Sequence, residues 1–183
     1  MKFSKTAGKV LETTFKVGAY AALGSAGSAL AWIAVSSLAI DHRRPLAPSI
    51  TGVEPRLLPS EITGEIACYS DTQATGRPLL LIHSINAAAS AREMQPLFQH
   101  YRATRPVYAI DLPGFGHSAR TDRRYTPDVF KRAILDVIEK EISGEHPVDV
   151  IALSLSSEFA ALAALESPGA IRSLTMILSL IHI

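Results

Sequence analysis

The chain has 183 residues, of which 18 are Lys or Arg and 17 are Asp or Glu, so its formal net charge is +1 at pH 7. This balance argues against a general nucleic-acid binder. The sequence has no Cys/His spacing typical of a metal site and no phosphate-binding glycine loop, so we expect no cofactor. The single cysteine, Cys68, excludes an internal disulfide and is interpreted as a strand residue rather than a nucleophile.

The N-terminal region is predicted to contain a membrane segment. Residues 1–16 form a basic tail with four lysines, and residues 17–40 contain no charged residue. A helix of that length spans the ~30 Å hydrocarbon core of a bilayer. We expect a single-pass transmembrane anchor; a cleaved signal peptide and a soluble helix are the alternatives. The balance between the four lysines before the segment and the arginines after it weakly favours a cytoplasmic N-terminus, with the following domain outside.

Residues 41–60 contain four prolines and are predicted to form a linker to a folded domain that begins at about residue 61. Within that domain, Glu65–Tyr69 is predicted to form an early antiparallel edge strand. A polar turn is expected to follow it.

Two helices are predicted in the first half of the domain. Ser90 and Glu93 have the spacing of a capping box for a helix over residues 91–101, which Pro96 would distort. Pro127, preceded by Thr126, is a favourable start for a second helix, whose apolar residues recur with a period of 3.6.

Short apolar runs alternate with these helices and predict buried parallel strands: one ends at His83-Ser84, one precedes the loop that begins at Asp111, and two more span Val148–Ile151 and Ser173–Ile177. A helix over residues 158–166 separates the last two. The domain is therefore predicted to be α/β, with a doubly wound, mostly parallel sheet.

The hexapeptide Ala152–Ser157 lies between a predicted strand and a predicted helix. A serine at so sharp a corner needs small residues two positions before and two positions after it. Ser154 meets this condition, because its neighbours are Ala152 and Ser156. For Ser156 the corresponding neighbour would be Glu158, so Ser154 is the predicted nucleophile and Ser156 the alternative. Taken alone, the hexapeptide is also compatible with a serine-rich loop that has no chemistry.

Three loops in fixed order resemble the α/β-hydrolase superfamily in its lipase/esterase-like branch. They are Pro78–Asn86, Val107–Ser118 and Ala152–Ser157. The resemblance runs from about residue 64 to about residue 177. The superfamily usually has His-Gly where this chain has His83-Ser84, and it has two glycines where this chain has Ala152 and Ser156.

The resemblance implies a set of site residues. Ser154 would be the nucleophile, and the backbone N–H groups of Ile85 and Leu155 would form an oxyanion hole. His83 and Ser84 would support the oxyanion loop. The catalytic histidine and acid follow the nucleophile in this superfamily, and we expect both to be absent from this chain.

The chain is accordingly expected to be truncated and inactive by itself. Residues 61–177 would be the N-terminal part of the hydrolase domain. Residues 178–183 look like the translation of a sequencing adapter and are expected to be a non-natural tail; a genuine strand end is the alternative.

The implied function is a membrane-anchored serine hydrolase that cleaves an ester-like or other acyl bond of a small molecule, with lipid-like substrates included. The alternatives are an acyltransferase or carbon–carbon bond hydrolase on the same fold, and a non-catalytic membrane-attached binding protein.

Overall fold

The computed structural model describes residues 27–39, 46–142 and 147–178, which belong to two units, Met1–Pro45 and Leu46–Ile183. In the first unit, residues 27–39 form helix α1, whose side chains are almost all exposed. No helix within the described ranges is long and apolar enough to cross a membrane. The predicted anchor, residues 17–40, lies partly outside these ranges; the basic tail lies wholly outside them, and so does nearly all of the predicted non-natural tail.

In the second unit, the described residues form a six-stranded sheet with the order β1-β2-β4-β3-β5-β6. The first two strands pair antiparallel, as do β2 and β4, whereas β4, β3, β5 and β6 are parallel to one another. The predicted α/β fold with a mostly parallel sheet is confirmed. The strands are β1 (Arg56–Leu58), β2 (Ile66–Asp71), β3 (Leu79–Ile82), β4 (Val107–Ile110), β5 (Val148–Leu153) and β6 (Ile171–Ile177).

The helices of this unit follow the sequence signals closely. The predicted helix over residues 91–101 is divided into a 3-10 turn, Ala91–Met94, and helix α2, Gln95–Tyr101, because Pro96 is accommodated only in the first turn of an α-helix. Helix α3, Pro127–Lys140, begins with proline after Thr126, as predicted. Helix α4, Ser156–Glu166, begins two residues before the predicted start.

The N-terminal edge of the sheet differs from the prediction. Strand β2 is antiparallel but not at the edge, because β1 pairs outside it, with Arg56 opposite Cys68. Strand β1 lies inside the predicted linker, and Ile50 within the same segment is fully buried. The described part of that segment, from residue 46, therefore packs onto the domain. Three residues are too few to show the two-residue period of a strand, and the surrounding prolines indicated a linker instead.

Helices cover both faces of the sheet at its centre, where every residue of β3 and β4 is buried. Strand β6 was predicted to be buried, but it lies at the edge of the sheet and is largely exposed. Along β3, Leu80 and Ile82 join the core beneath α3 and α4, whereas Leu79 and Leu81 join the core beneath the 3-10 turn and α2. Cys68 is a buried residue of β2, as interpreted from the sequence, and burial raises the pKa of its thiol.

Candidate active site

Ser154 occupies the corner between β5 and α4. Its φ angle is 57°, in the left-handed region that residues other than glycine rarely adopt. Its backbone N–H donates to the Ile177 carbonyl at 2.7 Å, and its own carbonyl accepts from the Ser157 N–H at 3.0 Å. Its side chain is partly exposed, and its hydroxyl has no hydrogen-bond partner among the residues that the structure describes. The corner is therefore strained and presents an unengaged hydroxyl.

The residues two positions before and after Ser154 are enclosed. Ala152 and Ser156 are both fully buried. The Ser156 hydroxyl donates to the His83 carbonyl at 2.5 Å, and the Ser157 hydroxyl donates to the Ala152 carbonyl at 3.1 Å. Of the two candidate serines, only Ser154 has an accessible hydroxyl, because Ser156 turns its own into the protein.

His83 links the loops that follow β3 and β4. It is fully buried, and its Nε2 accepts the Leu112 N–H at 2.9 Å. Its Nδ1 must therefore carry the proton, and it donates to the Ser84 carbonyl at 2.6 Å. Burial lowers the pKa of His83, which favours this neutral form. Since the C=O and N–H of a trans peptide point in opposite directions, this bond also fixes the direction of the Ile85 N–H.

Ile85 and Leu155 both line one cavity of about 720 Å³. Neither N–H donates a hydrogen bond to any residue within the described ranges. Arg120 and Glu158 are the charged residues of the lining. The other lining residues are Pro113, Gly114, Phe115, Tyr125, Pro127, Phe130 and Phe159. Two unengaged N–H groups thus lie beside a predominantly apolar cavity.

Glu93 binds the loop that carries Ile85. Its carboxylate accepts the Ser84 N–H at 2.8 Å, the Ser84 hydroxyl at 3.0 Å and the Asn86 side-chain amide at 2.8 Å. The predicted capping box is therefore wrong in one half. Ser90 does cap the turn, accepting the Arg92 N–H at 3.3 Å, but Glu93 contacts the neighbouring loop instead of Ser90. The sequence signal for this contact was Ser84 itself, whose hydroxyl needs a partner where the superfamily has glycine.

Asp111 holds the glycine loop after β4. It is fully buried and accepts the N–H groups of Ala91 and His117 at 2.7 and 2.9 Å, together with the Tyr69 hydroxyl at 3.0 Å. A Cβ atom at Gly116 would lie 2.1 Å from the Asp111 carboxyl carbon, so only glycine fits there. With its oxygens engaged in this way, Asp111 has a structural role in the loop over residues 111–118.

No described histidine or carboxylate hydrogen-bonds Ser154, and no group of His, Cys, Asp or Glu residues within the described ranges is arranged to hold a metal ion. The last histidine of the chain, His182, lies outside those ranges.

Comparison with known proteins agrees with this architecture. The sequence profile described as alpha/beta hydrolase fold matches residues 77–182. A pimeloyl-[acyl-carrier protein] methyl ester esterase from Aliivibrio fischeri is 32% identical over 115 residues, which are 61% of this chain and 40% of that protein. The chain therefore spans about 40% of the length of the curated relatives it matches.

Solved structures share the fold at low sequence identity. A naproxen esterase from Bacillus subtilis has a TM-score of 0.57 at 18% identity, and the match covers 71% of this chain and 42% of the esterase chain. A haloalkane dehalogenase from Agrobacterium tumefaciens has a TM-score of 0.60 at 18% identity, with coverage of 70% and 42%. Because these two structures are named for different reactions, the fold alone does not determine the chemistry.

Proposed function

We propose that this chain, which belongs to the α/β-hydrolase fold family, carries the nucleophile and the oxyanion hole of a serine hydrolase. The observation that carries the proposal is the backbone of Ser154, whose φ angle of 57° holds a partly exposed, unengaged hydroxyl at the start of α4. Residues other than glycine that are held in such a strained backbone conformation cluster at functional sites. A serine on a sharp strand-to-helix turn is also the nucleophile arrangement of this fold.

In the proposed reaction, the Ser154 oxygen attacks the carbonyl carbon of an ester-like or other acyl group. A histidine takes the serine proton and passes it to the leaving group, and water then hydrolyses the acyl-enzyme. The N–H groups of Ile85 and Leu155 would donate to the oxygen that becomes negative. Loss of one such donor typically reduces the rate by about 10²–10³.

The catalytic histidine and the carboxylate that orients it are proposed to come from the rest of the intact protein, meaning the complete gene product. In this fold the acid and then the histidine follow the nucleophile in the sequence. The relatives that this chain matches are more than twice as long as the matched part. A longer open reading frame with both residues would support this assignment.

The substrate proposed is a small molecule with an apolar acyl part, with lipid-like acyl groups included. The cavity beside Ile85 and Leu155 has an apolar lining large enough for such a group. The name of the relative from Aliivibrio fischeri, a methyl ester esterase, supports an ester as the bond cleaved.

We also propose that residues 17–40 anchor the protein in a membrane, with the N-terminus cytoplasmic and the hydrolase domain outside. The support is the absence of charge in that run and the lysines before it. Carbonate extraction combined with protease access from the outer face tests both parts. Recovery of the full-length protein in the soluble fraction would contradict the anchor, and a protected domain would contradict the orientation.

The experiment that tests the nucleophile is labelling of the intact protein with a fluorophosphonate probe. We expect Ser154→Ala to abolish labelling and Ser156→Ala to retain part of it. Labelling that persists without Ser154 but is lost without Ser156 would contradict the assignment. An intact protein that the probe does not label at all would favour a non-catalytic binding role. Product analysis with water or an alcohol as acceptor separates a hydrolase from an acyltransferase.

A further inference from the structure

We infer that Glu93 is a positioning residue for the oxyanion hole: its carboxylate holds the loop over residues 84–86 so that the Ile85 N–H faces the reacting oxygen. The inference rests on the proposed function and adds to it a residue outside the nucleophile and its N–H donors. It starts from one geometric fact, that a single carboxylate binds the residues on both sides of Ile85.

The hydrogen bonds connect Ser84, Asn86 and Glu93 to one another on both sides of Ile85 in the sequence. Before it, Ser84 donates both its N–H and its hydroxyl to Glu93, at 2.8 and 3.0 Å. After it, the Asn86 side-chain amide reaches the same carboxylate at 2.8 Å and the Ser84 hydroxyl at 2.7 Å. Only a carboxylate accepts at both oxygens, since a glutamine in the same place presents an NH₂ group at one of them.

The backbone around Glu93 is anchored to the core, although Glu93 itself is exposed. It lies in the 3-10 turn Ala91–Met94, whose first N–H is bound by buried Asp111 at 2.7 Å. The side chain of Met94, its neighbour, is 2% exposed. The backbone from which the carboxylate extends is therefore anchored, and within the described residues the hydrogen bonds of the carboxylate itself are those to Ser84 and Asn86.

Apart from Glu93, Asn86 is bound by the N–H groups of Ala88 and Ala89, at 2.9 Å to its side chain and 3.2 Å to its carbonyl. Asn86, Ala87 and Ala88 are exposed, so they gain little from apolar burial. The Ser84 carbonyl is bound by His83 from the opposite side. The Ser84–Ile85 peptide is thus fixed at its carbonyl by His83 and at its flanking groups by Glu93. Removal of either contact is expected to let the Ile85 N–H reorient.

Glu93 is ionised in this arrangement. Burial by itself would raise the pKa of its carboxyl group, but the hydrogen bonds from Ser84 and Asn86 outweigh burial and the net shift of the pKa is downward. The positive partial charges of these donors are oriented for a carboxylate and not for a neutral acid.

The kinetic test uses ester hydrolysis by the intact protein. Glu93→Gln is expected to lower kcat about 10- to 100-fold with little change in KM, because the proposed oxyanion donor acts mainly in the transition state. Glu54→Gln is the matched control, since Glu54 is exposed and makes no side-chain hydrogen bond or ion pair within the described residues. Asn86→Ala, on the exposed loop, is a second variant expected to lower kcat by a smaller factor.

A double-mutant cycle separates positioning from a general loss of stability. Ser84→Gly removes the hydroxyl that Glu93 accepts, so its effect on kcat should be smaller in the Glu93→Gln background than in the wild type. Equal effects in both backgrounds, a kcat of Glu93→Gln within twofold of the wild type, or a change confined to KM would each overturn the inference.

A second measurement does not depend on activity. The amide signal of Ser84 in a ¹H–¹⁵N spectrum should titrate with the Glu93 carboxyl in the wild type and lose that transition in Glu93→Gln. His83, the other titratable group close to Glu93, is followed separately through its ring signals. If the intact wild type showed no Ser154-dependent hydrolysis, the proposed function would be contradicted. If the Ser84 amide signal did not titrate with the Glu93 carboxyl, the contact between Ser84 and Glu93 would be contradicted.

Discussion

The Ser156 hydroxyl donates a 2.5 Å hydrogen bond to the His83 carbonyl, which is 73 positions earlier in the sequence. This bond connects the first turn of α4 to the loop after β3. The two proposed oxyanion donors, Leu155 and Ile85, lie one and two residues from its ends. This bond therefore ties together the two backbone segments that carry the proposed donors, through a serine other than the proposed nucleophile.

The first prediction concerns that bond. Ser156→Ala should lower the free energy of unfolding by about 1–3 kcal/mol, because the buried His83 carbonyl would lose its side-chain hydrogen-bond donor. Urea unfolding measures the change. Ser167→Ala is the control, because the Ser167 hydroxyl is partly exposed and makes no side-chain hydrogen bond within the described residues. Equal unfolding midpoints for the two variants would show that the bond does not contribute to stability.

The second prediction concerns backbone strain at the nucleophile. At a φ angle of 57°, glycine is favoured over alanine by about 1 kcal/mol. Ser154→Gly should therefore be more stable than Ser154→Ala in urea unfolding, although both should be inactive. If the alanine variant were the more stable of the two, Ser154 would not occupy the left-handed conformation in solution.

Much of this fold could be predicted from the sequence, for a physical reason. Strands β3 and β4 are buried at every residue and consist of apolar and aromatic residues, whereas β5 alternates between buried and partly exposed residues and includes Asp149. The start of α3 was predictable because Pro127 fits only the first turn of a helix. The sharp corner at Ser154 was predictable because Ala152 and Ser156, two positions before and after it, are small, and the structure buries both.

Other features depended on contacts distant in sequence. Strand β1 has three residues and includes Arg56, so it shows neither length nor periodicity. Glu93 has the local spacing of a capping box with Ser90, and only the three-dimensional structure shows that Ser84 and Asn86 compete successfully for its carboxylate. Local pattern cannot decide between a partner three residues away and one on another loop.

The third prediction concerns the glycine loop. Gly116→Ala should lower the free energy of unfolding by more than about 2 kcal/mol, because the added methyl group collides with the Asp111 carboxylate in a core without room to move. Gly52→Ala is the matched control. Gly52 also has a positive φ angle, 76°, but no atom lies within 4 Å of an added Cβ. The difference between the two variants isolates the collision, and similar losses would contradict it.

The fourth prediction concerns pH and His83. Burial lowers the pKa of His83 in the folded protein below its ordinary value of 6.5. As the pH falls below about 6.5, the unfolded chain binds a proton at this histidine and the folded chain does not, so stability must decrease. The pKa of the Glu93 carboxyl, ordinarily 4.5, and that of the Asp149 carboxyl, ordinarily 3.8, are also lowered, so their contributions to stability are lost only at lower pH.

Urea unfolding between pH 8 and pH 5.5 covers the range in which His83 contributes, and the comparison with His83→Gln separates its contribution from those of the other histidines. We expect the wild type to lose stability across this range, and we expect His83→Gln to be less stable at pH 8 but to show a smaller dependence on pH. His100→Gln, at an exposed position on α2, is the control and should retain the wild-type slope. A wild-type profile that is flat from pH 8 to pH 5.5, or a slope that His100→Gln removes, would contradict a buried neutral His83. In that case His83 would not fix the direction of the Ile85 N–H through the Ser84 carbonyl.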